Sequence, residues 1–214
     1  NLLQKHDEVI MVGGSGLFVR AVCEGFDELP KAPPEVREAL NSIFREQGIA
    51  PLQERLKEID PVFFRSADIH NPQRIIRAIE VFETTGRPFS DFQNHVTIQR
   101  DFQIVTVGLN MERSVLYDRI NQRVDLMIAS GLLAEVAQLV AYREEPALRT
   151  VGYAEIFDYF DEKNSLQEAV SLIKQNSRRY AKRQITWFKK HGNTKWFTPS
   201  DWDAVLDHIA GPQD

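Results

Sequence analysis

The spacing of apolar residues predicts a chain that is mainly helical, with a few short strands. In most segments apolar residues recur every three or four positions, as at Leu52, Leu56 and Ile59, which is typical of a helix with one buried face. Three short segments are instead continuously apolar or alternate with polar residues, which indicates strands. The predicted strands are Glu8–Val12, Phe102–Leu109 and Thr194–Thr198. About nine helices are predicted around them, the longest over residues 165–190.

Two of the predicted helices begin at capping signals. Asn71 can cap a helix whose first position is Pro72, and Gly86 is suited to the end of that helix. Ser165 and Glu168 have the spacing of a capping box at the start of the longest helix. Both helices are therefore bounded by local sequence alone.

The order of the elements predicts an α/β fold that is predominantly helical. Short strands separated by helical segments are joined most simply in a parallel sheet with crossover connections. Residues 27–100 form a helical block between the first two strands, which predicts a helical insertion domain within a core made of residues 1–26 and 101–214. Three strands make a small sheet, and Asn1 stands almost directly before the first of them. We therefore expect a piece of a longer chain, whose amino-terminal strands are missing.

Composition restricts the class of protein. The 214 residues are 43% hydrophobic and 27% charged, an ordinary balance for a folded, water-soluble protein. No apolar segment has the length of a membrane span, so no membrane association is expected. A single cysteine, Cys23, is consistent with the reducing cytoplasm. The five histidines show no metal-ligand spacing, and no metal ligand is predicted in this chain.

Positive charge is concentrated near the carboxyl terminus. The chain has 26 Lys and Arg against 31 Asp and Glu, yet residues 169–200 contain eight basic residues and no acidic one. Lys174, Arg178 and Lys182 fall on one stripe of the predicted helix, with Arg179 and Arg183 beside it. A different face contains Val170, Ile173, Tyr180 and Trp187. A helix with one packed and one cationic face is suited to a polyanion such as RNA. The alternative is a solvated surface helix, which unrelieved repulsion between neighbouring cations makes less favourable.

Two further stretches have both a structural and a functional interpretation. The sequence GGSG at residues 13–16 lacks the Gly-Lys-Ser/Thr ending of a P-loop, and we interpret it first as a tight turn that needs glycine torsions. Its alternative role is a backbone surface close to a ligand, with the Ser15 hydroxyl directed at that ligand. Arg74 and Arg77 lie early in a helix, where the dipole favours anions over cations. They either pair with acids or, equally, bind an anionic ligand.

Six motifs resemble those of the tRNA dimethylallyltransferase family, also called isopentenyl-tRNA transferases. They run from Val12 to Lys190 in the order of the family and at its approximate spacing. One such match would be weak, whereas six in order are specific. The segments are VGGSGLFVRAVCEGFDELP, PEVR, NPQRIIRAIEVFETTGRP, DRINQRVDLMIASGLLAEV, LRTVGYAEI and IKQNSRRYAKRQITWFKK.

The resemblance implies a fold and an activity. Family members have a P-loop-type core, and a helical insertion grips the anticodon stem. They transfer a dimethylallyl group from dimethylallyl diphosphate to the N6 amine of the adenine on the 3′ side of the anticodon. The implied partner is therefore the tRNA anticodon stem-loop, the implied donor is dimethylallyl diphosphate, and Mg²⁺ is the implied cofactor. We expect a monomer.

The resemblance also implies roles for individual residues. Arg123, in the NQR segment, would be catalytic, because it would bind the leaving diphosphate and stabilise charge in the transition state. Gly13 and Gly14 would line the substrate channel. For Arg74 and Arg77 the resemblance favours RNA binding over pairing with acids. The residues implied in tRNA binding are Ser15 (where the family usually has threonine), Arg37, Gln73, Arg74, Ile75, Ile76, Arg77, Arg149, Gly152, Tyr153, Arg178, Arg179, Lys182 and Arg183.

Two parts of the family pattern are absent from this sequence. The P-loop, GPTxxGKT or similar, does not occur, nor does the aspartate of a following DS segment that serves as general base. We therefore expect the Mg²⁺ ligands to lie outside this chain, and we expect little or no catalysis by the chain alone. The alternatives are a non-catalytic RNA-binding module and, more distantly, a remnant of a P-loop kinase or transferase that binds mononucleotides.

Overall fold

The computed structural model describes residues 2–27, 29–93, 98–191 and 193–211. Within these ranges the chain forms ten α-helices and two short strands. No helix in these ranges is long and apolar enough to cross a membrane. The helices are α1 (Gly16–Cys23), α2 (Pro34–Gln47), α3 (Ala50–Ile59), α4 (Pro61–Ser66), α5 (Pro72–Thr85), α6 (Arg113–Ala129), α7 (Leu132–Gln138), α8 (Ala154–Phe160), α9 (Leu166–Lys190) and α10 (Trp202–Ala210). The strands are β1 (Val107–Leu109) and β2 (Lys195–Phe197).

The chain divides into two compact units. We call Arg20–Phe102 the helical unit, and Asn1–Val19 together with Gln103–Asp214 the α/β unit. The high helix content and the parallel pairing of β1 with β2 confirm the predicted fold class. The proposal that residues 27–100 bind the anticodon stem stays a prediction.

The helical unit has its own core, built around α5. As predicted, this helix begins at Asn71, whose side chain accepts a hydrogen bond from the Arg74 N–H at 3.3 Å, and ends at Gly86, which has a φ of 70°. Ile75 and Ile79 are completely buried and pack against apolar residues of α2, α3 and α4. Burying a side chain of this size contributes about 1.5–3 kcal/mol, so α5 is held mainly by this face.

A buried carboxylate joins α4 to the segment after α5. Asp60 is 1% exposed, and its Oδ1 caps α4 by accepting the Phe63 N–H at 2.9 Å. The Ser90 N–H donates to Oδ2 and the Ser90 hydroxyl donates to Oδ1, both at 2.8 Å. Helix α4 was not predicted from the sequence, because six residues are too few to show helical periodicity.

The long helix α9 organises the α/β unit. Its predicted capping box is confirmed, since the Ser165 N–H donates to the Glu168 carboxylate at 2.8 Å and the Ser165 hydroxyl caps the Glu168 N–H. Ile173 of α9 is buried with Val124 of α6 and Ile156 of α8. Helices α6 and α8 therefore pack on α9. The later turns of α9 remain partly exposed to solvent.

Strands β1 and β2 form a small parallel sheet in the α/β unit. Val107 pairs with Lys195, and Leu109 pairs with Phe197. Between them, the Trp196 indole lies so close to Gly108 that an added Cβ would be 2.7 Å from the ring. The predicted strand Phe102–Leu109 is thus shortened to its last three residues, because only these have a partner strand.

The prediction of a strand at Glu8–Val12 is wrong. These residues adopt no regular secondary structure, and Ile10 and Val12 are 89% and 91% exposed. A strand requires a hydrogen-bonded neighbour. In the part of the chain that the structure describes, the only paired strands are β1 and β2. An apolar sequence alone is therefore not sufficient to form a strand here.

The other predicted elements differ from the structure mainly at their ends. The helix predicted over residues 132–143 stops at Gln138 and continues as the 3-10 turn Val140–Tyr142. The predicted loop over residues 89–100 contains the 3-10 turn Phe89–Phe92. Residues 94–97 of that loop lie outside the described ranges.

We expect Asp60→Ala to lower the free energy of unfolding by about 2–4 kcal/mol, because it removes a helix cap and leaves two half-buried Ser90 donors without an acceptor. Urea unfolding followed by circular dichroism measures the change. Asp68→Ala is the control, because the exposed Asp68 carboxylate accepts only the His70 N–H. Its expected effect is below about 1 kcal/mol. Equal effects of the two variants would contradict the role given to Asp60.

Candidate nucleic-acid interface

Exposed cations on the last turns of α9 line a groove of about 450 Å³. Arg179, Lys182 and Arg183 are all exposed, as the sequence predicted for a cationic face. None of the lining residues is acidic, so the groove is suited to an anion. We call it the α9 groove, and it is lined by Arg179, Lys182, Arg183, Thr186, Trp187, Lys190 and His191.

An aromatic pair forms the apolar part of the α9 groove. The ring centroids of Trp187 and His191 are 5.0 Å apart, with planes inclined by 36°. Aromatic rings flanked by cations are typical of surfaces on which a nucleobase stacks while its phosphates meet the charges. Trp187 was predicted to lie on the packed face of the helix, and no role was predicted for His191.

The GGSG segment packs closely against α9. The Gln184 side-chain amide donates to the Gly14 carbonyl at 2.9 Å, and a Cβ on Gly14 would overlap that amide. A Cβ on Gly16 would overlap the Trp187 indole. Gly13, Gly14 and Gly16 all have negative φ, so the predicted need for glycine torsions was wrong. Glycine is required at Gly14 and Gly16 because another helix approaches so closely.

Ser15 and Gly13 lie at the start of this contact. The Ser15 carbonyl accepts the Val19 N–H at 3.0 Å, which places Ser15 immediately before α1. Its side chain is half-buried, whereas Gly13 is exposed. The implied contacts of Ser15 with tRNA, and of Gly13 and Gly14 with the substrate, stay predictions.

Arg178 connects α9 to α6. Its guanidinium donates to the Asn121 side-chain oxygen at 2.5 Å and lies 6.0 Å from the centroid of the Tyr117 ring. One turn earlier, Lys174 pairs with Asp125 at 2.6 Å. Arg178 is half-buried, unlike its neighbour in the groove. Its contacts serve helix packing, which competes with the predicted contact to tRNA.

The predicted catalytic residue, Arg123, lies on the other side of α6. It is exposed and comes two residues after Asn121, about 200° around the helix. Because Asn121 faces α9, the Arg123 side chain is directed away from α9. The structure therefore does not bring Arg123 to the α9 groove, and its role stays a prediction.

A second buried carboxylate ties the loop before α8 to α9. Glu155 is 7% exposed. Its Oε2 accepts the Gly152 N–H at 2.7 Å, and its Oε1 accepts the Asn176 side-chain amide, also at 2.7 Å. Gly152 has a φ of 103°, in the region that favours glycine. Gly152 is itself buried, so any contact with tRNA at this loop would involve its neighbours.

The neighbours of Gly152 are paired with acids on the surface. Arg149 is exposed and donates to the Glu144 carboxylate at 2.7 Å. The Tyr153 hydroxyl donates to the Glu135 carboxylate, and this hydrogen bond raises the pKa of the Tyr153 phenol. An RNA phosphate would have to displace Glu144 to reach the paired edge of Arg149. The implied tRNA contacts of both residues stay predictions.

In the helical unit, α5 begins with two exposed polar residues, which are followed by two buried isoleucines. Gln73 and Arg74 are exposed, as a contact with tRNA requires. Ile75 and Ile76 are only 0% and 5% exposed and belong to the core. Contact between either isoleucine side chain and tRNA would therefore require the core to open.

Arg37 and Arg77 share one buried carboxylate. Arg37 donates from Nε to Oε1 of Glu80 and from Nη2 to Oε2 at 2.7 Å. Arg77 reaches the same Oε2 at 3.5 Å and donates to the Pro30 carbonyl at 3.1 Å. Burial raises the pKa of Glu80, but the hydrogen bonds from Arg37 and Arg77 outweigh it, so the pKa lies below its ordinary value. Glu80 is therefore ionised at neutral pH.

The described ranges contain no group of three or more His, Cys, Asp and Glu residues placed to hold a metal ion. Mg²⁺ prefers a near-octahedral set of oxygen ligands, of which carboxylates are the usual protein contribution. The donor groups in this part of the chain do not fit the Mg²⁺ that the resemblance implies.

The polar residues that hold these surfaces in place were not predicted from the sequence. A signal for Glu80 was available, because it is an acid between the apolar Ile79 and Val81 and lies three residues after Arg77. Asn121 gave no comparable signal, since its partner is 57 positions away along the chain.

Comparison with known proteins identifies the family. The sequence model of a family described as IPP transferase matches residues 1–191. The tRNA dimethylallyltransferase of Christiangramia forsetii is 50% identical over 196 residues, which are 92% of this chain and 65% of that protein. The enzyme of the same name from Cytophaga hutchinsonii is 48% identical over 208 residues, 97% of this chain and 68% of that protein. This chain thus spans about two thirds of the length of these relatives.

Solved structures agree with this relationship. The full-length tRNA isopentenylpyrophosphate transferase of Bacillus halodurans is 38% identical, with a TM-score of 0.53 over 91% of this chain and 61% of that one. A eukaryotic dimethylallyltransferase acting on tRNA is 22% identical and shares the fold, with a TM-score of 0.65 over 92% of this chain and 54% of that one. The chain belongs to the IPP transferase family.

We expect Arg178→Ala to lower the free energy of unfolding by about 1–2 kcal/mol, because it removes a hydrogen bond to Asn121 and a contact with the Tyr117 ring. Arg179→Ala is the matched control, since this adjacent arginine is exposed. Its expected effect is within about 0.5 kcal/mol. Thermal unfolding of both variants measures the difference. If the two variants unfold alike, Arg178 does not hold α6 to α9.

Proposed function

We propose that this protein functions in tRNA modification, by transfer of a dimethylallyl group from dimethylallyl diphosphate to the N6 amine of the adenine on the 3′ side of the anticodon. The tRNA anticodon stem-loop is the proposed partner, bound by a monomer. The observation that carries the proposal is the α9 groove, with its exposed cations and aromatic pair, in a chain of the IPP transferase family.

Charge and shape support RNA as the ligand of the groove. The chain as a whole is acidic, with a formal net charge of −5, whereas residues 169–200 contain only basic charged residues. Arg179 and Arg183 are one helical turn apart, which gives a row of charges that can follow a phosphate backbone. Trp187 lies within the same groove and offers a surface for an unstacked base.

The reaction defines what Arg123 has to do. The adenine amine attacks the first carbon of the donor, and the carbon–oxygen bond breaks with its electron pair going to the diphosphate. The amine then loses a proton. The leaving diphosphate gains negative charge, and an exposed guanidinium such as Arg123 is suited to stabilise it. The target base must leave its stack to be attacked.

We also propose that these 214 residues alone bind tRNA but do not sustain transfer. The sequence contains no P-loop pattern, so it lacks the backbone cradle and the lysine that usually hold a diphosphate. Where transfer takes place, Mg²⁺ would neutralise charge on the diphosphate, held by ligands other than the residues described here.

We expect the chain to bind a labelled anticodon stem-loop more tightly than a scrambled hairpin, with affinity that falls steeply as salt is added. Replacing Arg179, Lys182 and Arg183 together by alanine should reduce the slope of log affinity against log salt by about two to three units, since each phosphate contact contributes about 0.7–0.9. Fluorescence anisotropy over a salt series measures both quantities.

The matched control replaces Lys5, Lys57 and Arg65 by alanine. This variant loses the same charge from exposed positions outside the groove. Its salt slope should change by less than about one unit. Equal, weak binding of both hairpins by the unmodified chain would instead favour a general polyanion surface over recognition of the anticodon loop.

We expect no prenylation above background when the chain is mixed with dimethylallyl diphosphate, Mg²⁺ and unmodified tRNA. The physical reason is the absence of a P-loop to hold the donor. Mass spectrometry of the digested tRNA detects the modified adenine, with the Cytophaga hutchinsonii relative as positive control. Robust prenylation by the 214-residue chain would overturn the claim that it is inactive alone.

A further inference from the structure

Glu80 places a charged group in the core of the helical unit. The residue is 1% exposed, and the adjacent Ile79 and Val81 are completely buried. An unpaired carboxylate in such surroundings costs several kcal/mol. A glutamate at this position is therefore tolerated only with strong partners.

Two arginines from different parts of the unit compensate Glu80. Arg37, at the start of α2, binds both carboxylate oxygens in a two-pronged arrangement. Arg77, three residues before Glu80 on α5, contacts Oε2 and is braced by the Pro30 carbonyl. One carboxylate thus holds the Arg37 guanidinium at two points and contacts the Arg77 guanidinium at 3.5 Å.

Both arginine side chains remain partly exposed to solvent. The Arg37 and Arg77 side chains are 52% and 30% exposed. A guanidinium carries five N–H donors, and Arg37 uses two of them on Glu80. Because one carboxylate neutralises only one of the two arginines, the cluster keeps a net charge of about +1. The exposed Arg74 lies one helical turn before Arg77 and adds to the charge.

We propose that Glu80 is a positioning residue for RNA binding, which holds Arg37 and Arg77 side by side with their free N–H groups outward to receive one backbone phosphate. The inference rests on the proposed function, because the phosphate belongs to the tRNA stem-loop. Ordering two long side chains before binding removes an entropy cost that the complex would otherwise bear. Arginine is suited to this arrangement, since its planar fork can hold a carboxylate on one edge and a phosphate on the other.

The direction in which RNA affinity changes when Glu80 is removed distinguishes a positioning role from a purely electrostatic one. Deleting a negative charge near a phosphate site should strengthen RNA binding by Coulomb attraction alone. If Glu80 positions the arginines, its removal should instead weaken binding. A neighbouring pair offers a matched control, because Glu83 of α5 likewise accepts from an arginine of another helix, Arg55 at 2.5 Å, but lies at the surface.

The experiment compares Glu80→Gln with Glu83→Gln in the 214-residue chain. Both variants delete one negative charge from α5. Binding of the anticodon stem-loop is measured by anisotropy over a salt series, at a temperature where circular dichroism shows each variant to be folded. Glu80→Gln should lower affinity roughly tenfold and reduce the salt slope by about one unit, whereas Glu83→Gln should leave affinity unchanged or slightly raised.

A second variant decides the matter if Glu80→Gln does not fold. Arg37→Lys keeps the charge and an ion pair with Glu80 but loses the two-pronged contact. It should weaken stem-loop binding at least about threefold, whereas Arg55→Lys should not. Unchanged or tighter binding by folded Glu80→Gln, or by Arg37→Lys, overturns the positioning role while the proposed function stands. Lack of stem-loop preference in the unmodified chain overturns both.

Discussion

The cost of burying a carboxylate constrains both units of this structure. Glu80 in the helical unit and Glu155 in the α/β unit are both nearly excluded from water, so each must be satisfied by fixed donors. In both cases at least one donor is a residue that the family resemblance implies in tRNA binding. Arg37 and Arg77 contact Glu80, and the Gly152 backbone contacts Glu155. The contacts that stabilise each unit therefore also fix the orientation of groups at its surface.

The cationic helix α9 illustrates how stability and function divide along one element. Two cations in its middle turns have partners on α6: Lys174 pairs with Asp125, and Arg178 donates a hydrogen bond to Asn121. Its later turns have no acidic neighbour in the groove that they line. Repulsion among those cations costs little free energy, and packing of the apolar face offsets it. Burying one apolar side chain stabilises the helix by more than the repulsion of one exposed pair of like charges destabilises it. The later turns are thus left available for a polyanion.

Local signals in the sequence predicted the fold well where structure depends on neighbouring residues. The caps at Asn71 and Ser165 defined α5 and α9 because their partners lie three positions away. Predictions failed where the partner is distant. The strand predicted at residues 8–12 is absent, since these residues have no described neighbour to pair with. Gly14 and Gly16 are required by the approach of Gln184 and Trp187, about 170 positions later. At the candidate interface, sequence identified the exposed cations of α9 and offered an acidic partner for Arg77, but the contacts that occupy Arg37 and Arg178 appear only in three dimensions.

The central proposal is that the α9 groove of this chain binds the anticodon stem-loop, and Arg74 of the helical unit is tested as a separate predicted contact. Arginine footprinting with a dicarbonyl reagent, with and without the stem-loop, tests it most directly. Mass spectrometry then reports the modification rate of each arginine. We expect Arg74, Arg179 and Arg183 to be modified several-fold more slowly in the complex, with exposed Arg65 and Arg45 unchanged as internal references. If none of the five arginines is modified more slowly in the complex than in the free chain, at a concentration where the stem-loop is bound, the proposal is contradicted.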